Sequence, residues 1–557
     1  MSKHRLIAPN IAASIALAFS ASPAFAVAPA GVTAATSAER IGLLPAASFR
    51  LANGKCGDCA TVKQALWYFK DDVLAVPHSG QAMSGYKPGA DAISDVKEWA
   101  SGPEAATLAH PGLVWLGAPQ LLDNVTLAPD ARQVRGADGS TGDLLLAPKL
   151  ASNLSYWDAK TSAFFAKRPL RMRGEVKQVG GQEAFVARTV WPKDFALDAA
   201  HIEARPLGPT ETLQSFVQER GGRASDPFAT RLLWERKPGQ ERQWQDKPVI
   251  GIMLNGAQGD DDEAFGGHFA IATGAIGKGG EWSDWLVNNF YNLDSFSEKG
   301  IVAAPVPMDN YLMDLNSGQQ YYRPSYMMVA VLRDARTAQA YQGGVQRVFN
   351  HFYRHDFTYR HAGANCAGIS MDVFKALGWN VPERGATSSL KAIGAYGYLA
   401  AKDASLASGR KIYDYLTEEQ VRLYPAVAFE AAGNDLMQLV GAAPGLTREL
   451  TPYEKQLQAD VEAIVLVRIP QVPSSRVMGS NPVFSFDEFM KRTPPDQKDW
   501  KIVAVGPRPF PAELRDAQTM AVSMPSPVPL PVAGIGLAGV LGIGAFVRRR
   551  KTKKSAA

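Results

Sequence analysis

Tyr359-Arg-His-Ala-Gly-Ala-Asn365-Cys366-Ala-Gly-Ile-Ser-Met-Asp-Val-Phe-Lys-Ala-Leu377-Gly378 is the stretch on which the fold turns. From Ala367 its apolar residues fall at Ile369, Val373, Phe374 and Leu377, one stripe of a helix. Gly378 supplies a C-terminal stop and Asn365 an N-cap. Cys366 is therefore expected at a helix N-terminus, where free N–H groups and the positive end of the helix dipole favour thiolate. The placement argues for a reactive thiol over an inert buried cysteine.

The cysteine count points the same way. There are three, and Cys56 and Cys59 sit together in Cys-Gly-Asp-Cys. They can pair with each other, which leaves Cys366 odd. A structural disulfide is the main expectation for the pair. The alternative is a thiol-disulfide oxidoreductase, because Cys-x-x-Cys opening a helix has the right local form. Thioredoxin-like motifs follow an apolar strand, however, and Phe49-Arg-Leu-Ala-Asn-Gly-Lys55 is not one.

A thiolate nucleophile needs a base, and the base needs a third group to orient it. His268 opens Gly266-Gly-His268-Phe-Ala-Ile-Ala-Thr273, an alternating strand with Phe269, Ile271 and Thr273 on one face and His268, Ala270 and Ala272 on the other. His351, His355 and His361 are closer to Cys366 in sequence, but nearness in sequence does not make a site. Trp285-Leu-Val-Asn-Asn-Phe-Tyr291 reads as a further strand carrying Asn288 and Asn289. Alternation puts only one of those amides on the histidine's face and leaves open which. Strands are also expected at 249–254 and 326–332. A helix is expected over 338–353, with Tyr341, Val345, Val348, Phe349 and Phe352 on one stripe. The acidic run Asp260-Asp-Asp-Glu263 has no ligand-loop spacing and reads as solvated, so neither metal nor cofactor is expected.

The ends of the chain read as export signals. Lys3 and Arg5, an apolar run and Ala24-Phe25-Ala26 have the order of a secretory signal peptide over 1–26. At the other end, Val528-Pro-Leu-Pro-Val532 precedes an apolar stretch to Val547 and the basic run Arg548-Arg-Arg-Lys551. A single membrane span over 532–547 and a cytoplasmic tail over 548–557 are expected. Of 59 basic residues, two lie in the signal and six in the tail, leaving 51 against 54 acidic ones in the body. The formal charge of +5 thus belongs to the ends, and nothing argues for nucleic-acid binding.

The order of a histidine strand, an amide strand and then Asn365-Cys366 at a helix start resembles the circularly permuted papain-like proteins of the NlpC/P60 superfamily. The stretch from Met327 to Leu377 looks most like the periplasmic domain of the Lnb-type lipoprotein N-acyltransferases. Two features depart from that family: Ala367-Gly368 follows the cysteine where a Thr or similar polar residue is common, and the several membrane spans of known acyltransferases have no counterpart. The C-terminal motif is similar to the VPLPA variant of PEP-CTERM-type sorting signals, with Val532 in place of Ala. The resemblance implies an α+β fold with a permuted papain-like core and further α+β regions before and after it. It implies Cys366 as nucleophile, His268 as base, Asn288 or Asn289 as orienting amide, and Asn365 and Tyr359 as support for substrate or oxyanion. The implied function is an exported hydrolase or acyltransferase cutting an amide or ester bond in a peptide, peptidoglycan or lipoprotein of the cell envelope, in the periplasm or at the cell surface. A sorting protease would act on the tail. A non-enzymatic surface protein that keeps the scaffold is the remaining alternative. The layout that follows is an Ala-rich, flexible lead-in at 27–48, an N-terminal α+β region at 49–245, a catalytic domain at 246–400, a C-terminal α+β region at 401–519 and a Pro/Ser stalk at 520–531.

Overall fold

The structure is a computed structural model and describes residues 38–59, 61–149, 155–218, 226–256, 266–293, 302–476, 496 and 510–515. The fold is α+β, built on an eight-stranded sheet. Its strands in chain order are β1 (Glu203–Ala204), β2 (Ala229–Glu235), β3 (Pro248–Asn255), β4 (His268–Ala275), β5 (Leu286–Asn289), β6 (Ala304–Pro307), β7 (Ser325–Leu332) and β8 (Val461–Ile469). They lie in the order β1-β2-β8-β7-β3-β4-β5-β6. All neighbours are antiparallel except β1 and β2.

The centre of this sheet is apolar for a physical reason. Strand β7 reads Ser-Tyr-Met-Met-Val-Ala-Val-Leu and every residue is buried. A strand covered on both faces has no solvent side, so its sequence runs apolar instead of alternating. Each large side chain buried there contributes about 1.5–3 kcal/mol. One face is covered by helices α3 (Arg336–Tyr353), α4 (Cys366–Leu377) and α8 (Pro425–Leu439), with α1 (Ala92–Ala100) outside them. Helices α3, α4 and α8 each pack on β4, and α1 packs on α3 and α4. Tyr341, Val345, Val348, Phe349 and Phe352 of α3 are all buried. Phe349 stacks on Phe290, just past β5, with ring centroids 4.2 Å apart. Between α4 and α8 the chain forms a hairpin of α5 (Ser389–Lys402) and α6 (Leu406–Thr417), followed by the short α7 (Gln420–Leu423) against α4.

The sheet crosses the boundaries read from the sequence. Strand β8 comes from the region expected as a C-terminal appendage, yet it lies between β2 and β7. Strand β2 comes from the N-terminal region. Residues 246–400 therefore share one sheet with segments on either side. Apolar periodicity marks β8 as a strand but carries no information about its neighbours.

The N-terminal region adds a six-stranded sheet formed by strands between residues 120 and 192. Buried ion pairs join it to α2 (Met308–Met313) and the turn after it. Arg173 Nε lies 3.0 Å from Asp309 and Arg188 Nε 2.5 Å from Asp314, both acids being fully buried.

Two expectations are corrected. The lead-in is not loose throughout: Ile41 and Leu44 are buried in a core cluster with Leu286 of β5, and Gly42 N–H donates to the Asp284 carbonyl. Its Ala-rich composition hid these two apolar anchors. The membrane-spanning expectation has no counterpart among the described residues, where no helix is long and apolar enough to cross a membrane. The stretch to which the span was assigned, 532–547, lies outside the described residues, as do the signal peptide, stalk, tail, acidic run 260–263 and most of 477–509.

Candidate active site

Cys366 is the first residue of α4 and is 4% exposed. Asn365 is the N-cap: its Oδ1 accepts from the N–H groups of Ala367 and Gly368, both at 2.9 Å. Its Nδ2 donates to the carbonyls of His361 and Leu423, also at 2.9 Å. Both protons of that amide are spent on backbone carbonyls. Asn365 therefore fixes the start of the cysteine helix and is no donor for a substrate oxyanion. The cap also occupies two of the N–H groups expected to be open beside the sulfur; the helix dipole remains.

Tyr359 meets the cysteine directly. Its hydroxyl is hydrogen-bonded to both the backbone and the side chain of Cys366. Burial pushes this hydroxyl well above the ordinary phenol range, and the neighbouring Cys366 raises it further. Tyr359 thus stays protonated and can keep donating to sulfur.

His268 is the first residue of β4 and is 6% exposed. Its Nε2 lies 2.5 Å from Oδ1 of Asn289 on the neighbouring strand. The Asn289 amide orientation is set independently, because its Nδ2 donates to the Val302 carbonyl at 2.6 Å. With Oδ1 as acceptor, Nε2 must carry a proton, so in the neutral ring the lone pair lies on Nδ1. Asn288 faces the other way. Its register partner is Ile271, and its side chain bonds Gln342 and Gln346 of α3. The pleat therefore chooses Asn289 for the histidine.

A second hydroxyl stands beside the histidine. Tyr311 of α2 donates to Oδ1 of Asn255, which stands opposite His268 in the β3–β4 register. The rings of Tyr311 and His268 are 6.1 Å apart, between centroids. Burial raises the Tyr311 hydroxyl well above its ordinary value, and Cys366 is the next cause. Tyr311 thus stands beside the histidine, and the charge of the cysteine reaches its hydroxyl. The sequence reading missed it, because the pair Tyr311–Asn255 is 56 residues apart. The usable signal was Asp309-Asn310-Tyr311 inside an otherwise apolar run, polar groups that a buried helix must satisfy.

The other histidines have separate partners. His351 Nε2 pairs with Asp95 of α1 at 2.9 Å, and His355 bonds the Tyr68 hydroxyl. Cys56 and Cys59 form a disulfide in the turn after the strand Phe49–Ala52, with Arg50 donating to Asp58 at 2.7 Å. The helix that follows starts only at Lys63, so the pair lies before the helix and does not open it.

Chemically, the arrangement offers a buried thiol on a helix start, a hydroxyl donor on its sulfur, and an imidazole with one tautomer selected by an amide. No protein-family model, curated protein or solved structure matches this chain.

Proposed function

We propose that the protein is an exported thiol-dependent hydrolase or acyltransferase with a permuted papain-like core, acting on an amide or ester bond of a cell-envelope substrate. The observation that carries the reading is the His268–Asn289 hydrogen bond, which selects the tautomer that a cysteine-assisting base requires. The helix-start position of Cys366 and the Tyr359 hydroxyl on it add support, since both favour thiolate.

In this reading His268 Nδ1 takes the Cys366 proton, and the sulfur attacks the carbonyl carbon. The tetrahedral intermediate collapses as the C–N or C–O bond breaks, and the imidazolium returns its proton to the departing amine or alcohol. A thioester on Cys366 remains. Water or an acceptor amine then attacks it, His268 takes that nucleophile's proton, and the sulfur leaves as thiolate. Electrons and protons balance with no cofactor.

The test is labelling with iodoacetamide on the full chain. Cys366→Ala should keep the wild-type thermal midpoint and lose the label. His268→Ala should slow labelling at neutral pH. Equal labelling of wild type and Cys366→Ala would sink the proposal.

A further inference from the structure

We infer that the outer face of the α5–α6 hairpin is a docking surface for an anionic phospholipid bilayer, on which the hairpin lies without crossing. Docking there does not require Cys366 to react.

Six large apolar side chains are exposed among the described residues, and four of them, Leu390, Ile393, Tyr398 and Leu406, belong to this hairpin. The inner face of α5 is already spent on α6. Ala392 is fully buried, and Gly409 comes so close that an added Cβ would stand 2.8 Å from the Tyr396 carbonyl oxygen and 2.9 Å from Ala400 Cβ. Each helix has the other as its main packing partner. At 3.6 residues per turn, Leu390, Ile393, Gly394, Tyr398 and Ala401 fall on one side of α5, and all five are exposed. A surface helix ordinarily turns charged and polar residues to water on its outer side. Here the outer side is apolar as well, the mark of a surface that meets a partner.

Charge identifies the partner. Helix α5 has two charged residues, Lys391 and Lys402, and no acid. Both lie along one edge of the apolar side, about three turns apart. From Gly385 to Lys411 there are four basic residues and one acid, Asp403, although the body of the chain is slightly acidic. Arg410 is paired with Asp414 at 2.6 Å, whereas Lys391, Lys402 and Lys411 are exposed and have no carboxylate partner among the described residues. A second copy laid on the same face of α5 would bring no counter-charge, because that face has no acid. An anionic bilayer brings both complements: phosphate for the lysines, and the acyl boundary for Leu390 and Ile393. Tyr398 offers a ring to the boundary and a hydroxyl to the headgroups. With 14 residues, α5 is about 21 Å long, short of the roughly 30 Å hydrocarbon core, so it lies in the plane of the surface.

The hairpin leaves and rejoins the body at one neck. Gln420 N–H donates to the Arg384 carbonyl at 2.9 Å, and Arg384 N–H donates to the Glu419 carboxylate at 2.8 Å. Helix α7 starts at this neck and packs on α4, and Asn365 donates to its Leu423 carbonyl. A docked hairpin is thereby tied to the helix that starts at Cys366.

The test uses the full chain with two kinds of vesicle: phosphatidylcholine alone, and phosphatidylcholine with about one-third phosphatidylglycerol. Arg548-Arg-Arg-Lys551 in the tail also attracts anionic lipid, so the readout is local: amide hydrogen exchange over residues 389–417, followed by mass spectrometry. Anionic vesicles should slow exchange there severalfold, and neutral vesicles should need about tenfold more lipid for the same effect. Leu390→Glu with Tyr398→Glu should raise the lipid concentration for half-maximal slowing by about tenfold or more. Lys391→Gln with Lys402→Gln should raise it by about fivefold for each lysine on anionic vesicles and leave neutral ones unaffected. All four side chains are exposed, so both variants should keep the wild-type thermal midpoint; if one fails to fold, the other decides. Unchanged exchange on both vesicles, equal slowing on the two, or slowing that survives both variants overturns the proposal. Slowing that grows with protein concentration without lipid, and is not increased by vesicles, also overturns it and makes a second copy the occupant.

Discussion

Asn289 Oδ1 lies 2.5 Å from His268 Nε2, whereas the preceding residue, Asn288, points to Gln342 on the opposite face of the same strand. One peptide unit thus separates an amide that orients the candidate base from an amide that belongs to the core.

The two should separate cleanly by mutation. Asn289→Ala frees the imidazole to take either tautomer, and iodoacetamide labelling of Cys366 should slow by about tenfold or more at neutral pH. Asn288→Ala leaves Gln342 and Gln346 short of partners and should cost about 1–3 kcal/mol of stability with labelling kept. Labelling rates and thermal midpoints on both variants test this. The reverse assignment, with Asn288→Ala slowing the thiol, would contradict it.

That contrast also shows how far the sequence could be read. Alternation places Asn288 and Asn289 on opposite faces, but the choice depends on the β4–β5 register, which pairs Ile271 with Asn288. Register is a property of two strands and is not written in either alone. Cys366 and Asn365 were legible because a cap, a helical stripe and a stop glycine lie within 14 residues, Asn365 to Gly378. The role of Asn365 was not, because its Nδ2 is consumed by Leu423, 58 residues away. Tyr311 was invisible for the same reason: it acts through Asn255, 56 residues away. Strand β8 was legible as a strand but not as the neighbour of β7.

Tyr359 is predicted to tune the thiol. Its hydroxyl bonds the Cys366 side chain and remains protonated. Tyr359→Phe withdraws a hydrogen bond that a thiolate uses better than a thiol. The rate–pH profile of alkylation should therefore move to higher pH, with about tenfold slower reaction at neutral pH. A purely structural role would lower the thermal midpoint and leave the pH profile in place.

Asp95 makes stability depend on acid. It is 1% exposed and sits between Arg347 at 2.6 Å and His351 at 2.9 Å. Burial alone raises its carboxyl, but the hydrogen bonds from His351 and Arg347 outweigh that and bring it to about 2, from 3.8. A depressed folded-state value means the stabilisation is complete above the unfolded value and is lost as pH falls from about 4 through about 2. The size is about 2 kcal/mol. Asp95→Asn should lower the thermal midpoint at pH 7, and the gap to wild type should narrow as pH approaches 2. A gap that stays constant with pH would rule out this linkage.

The Arg173–Asp309 pair braces the helix that presents Tyr311. Arg173 Nε and Nη2 lie 3.0 and 3.2 Å from the Asp309 carboxylate, and the two residues are 4% and 0% exposed. Removing one partner strands a buried charge, which costs about 3–5 kcal/mol; removing both avoids that penalty. Arg173→Met alone should therefore destabilise strongly, and Arg173→Met with Asp309→Leu should recover much of the loss. Because Asp309 and Tyr311 share one turn of α2, the single variant should also speed amide hydrogen exchange over residues 308–313 and slow Cys366 labelling. Chemical denaturation, hydrogen exchange and labelling on the three proteins measure each part. If Arg173→Met unfolds the six-stranded sheet but leaves exchange at 308–313 and labelling unchanged, the N-terminal region is not what holds Tyr311 on Asn255 beside the histidine.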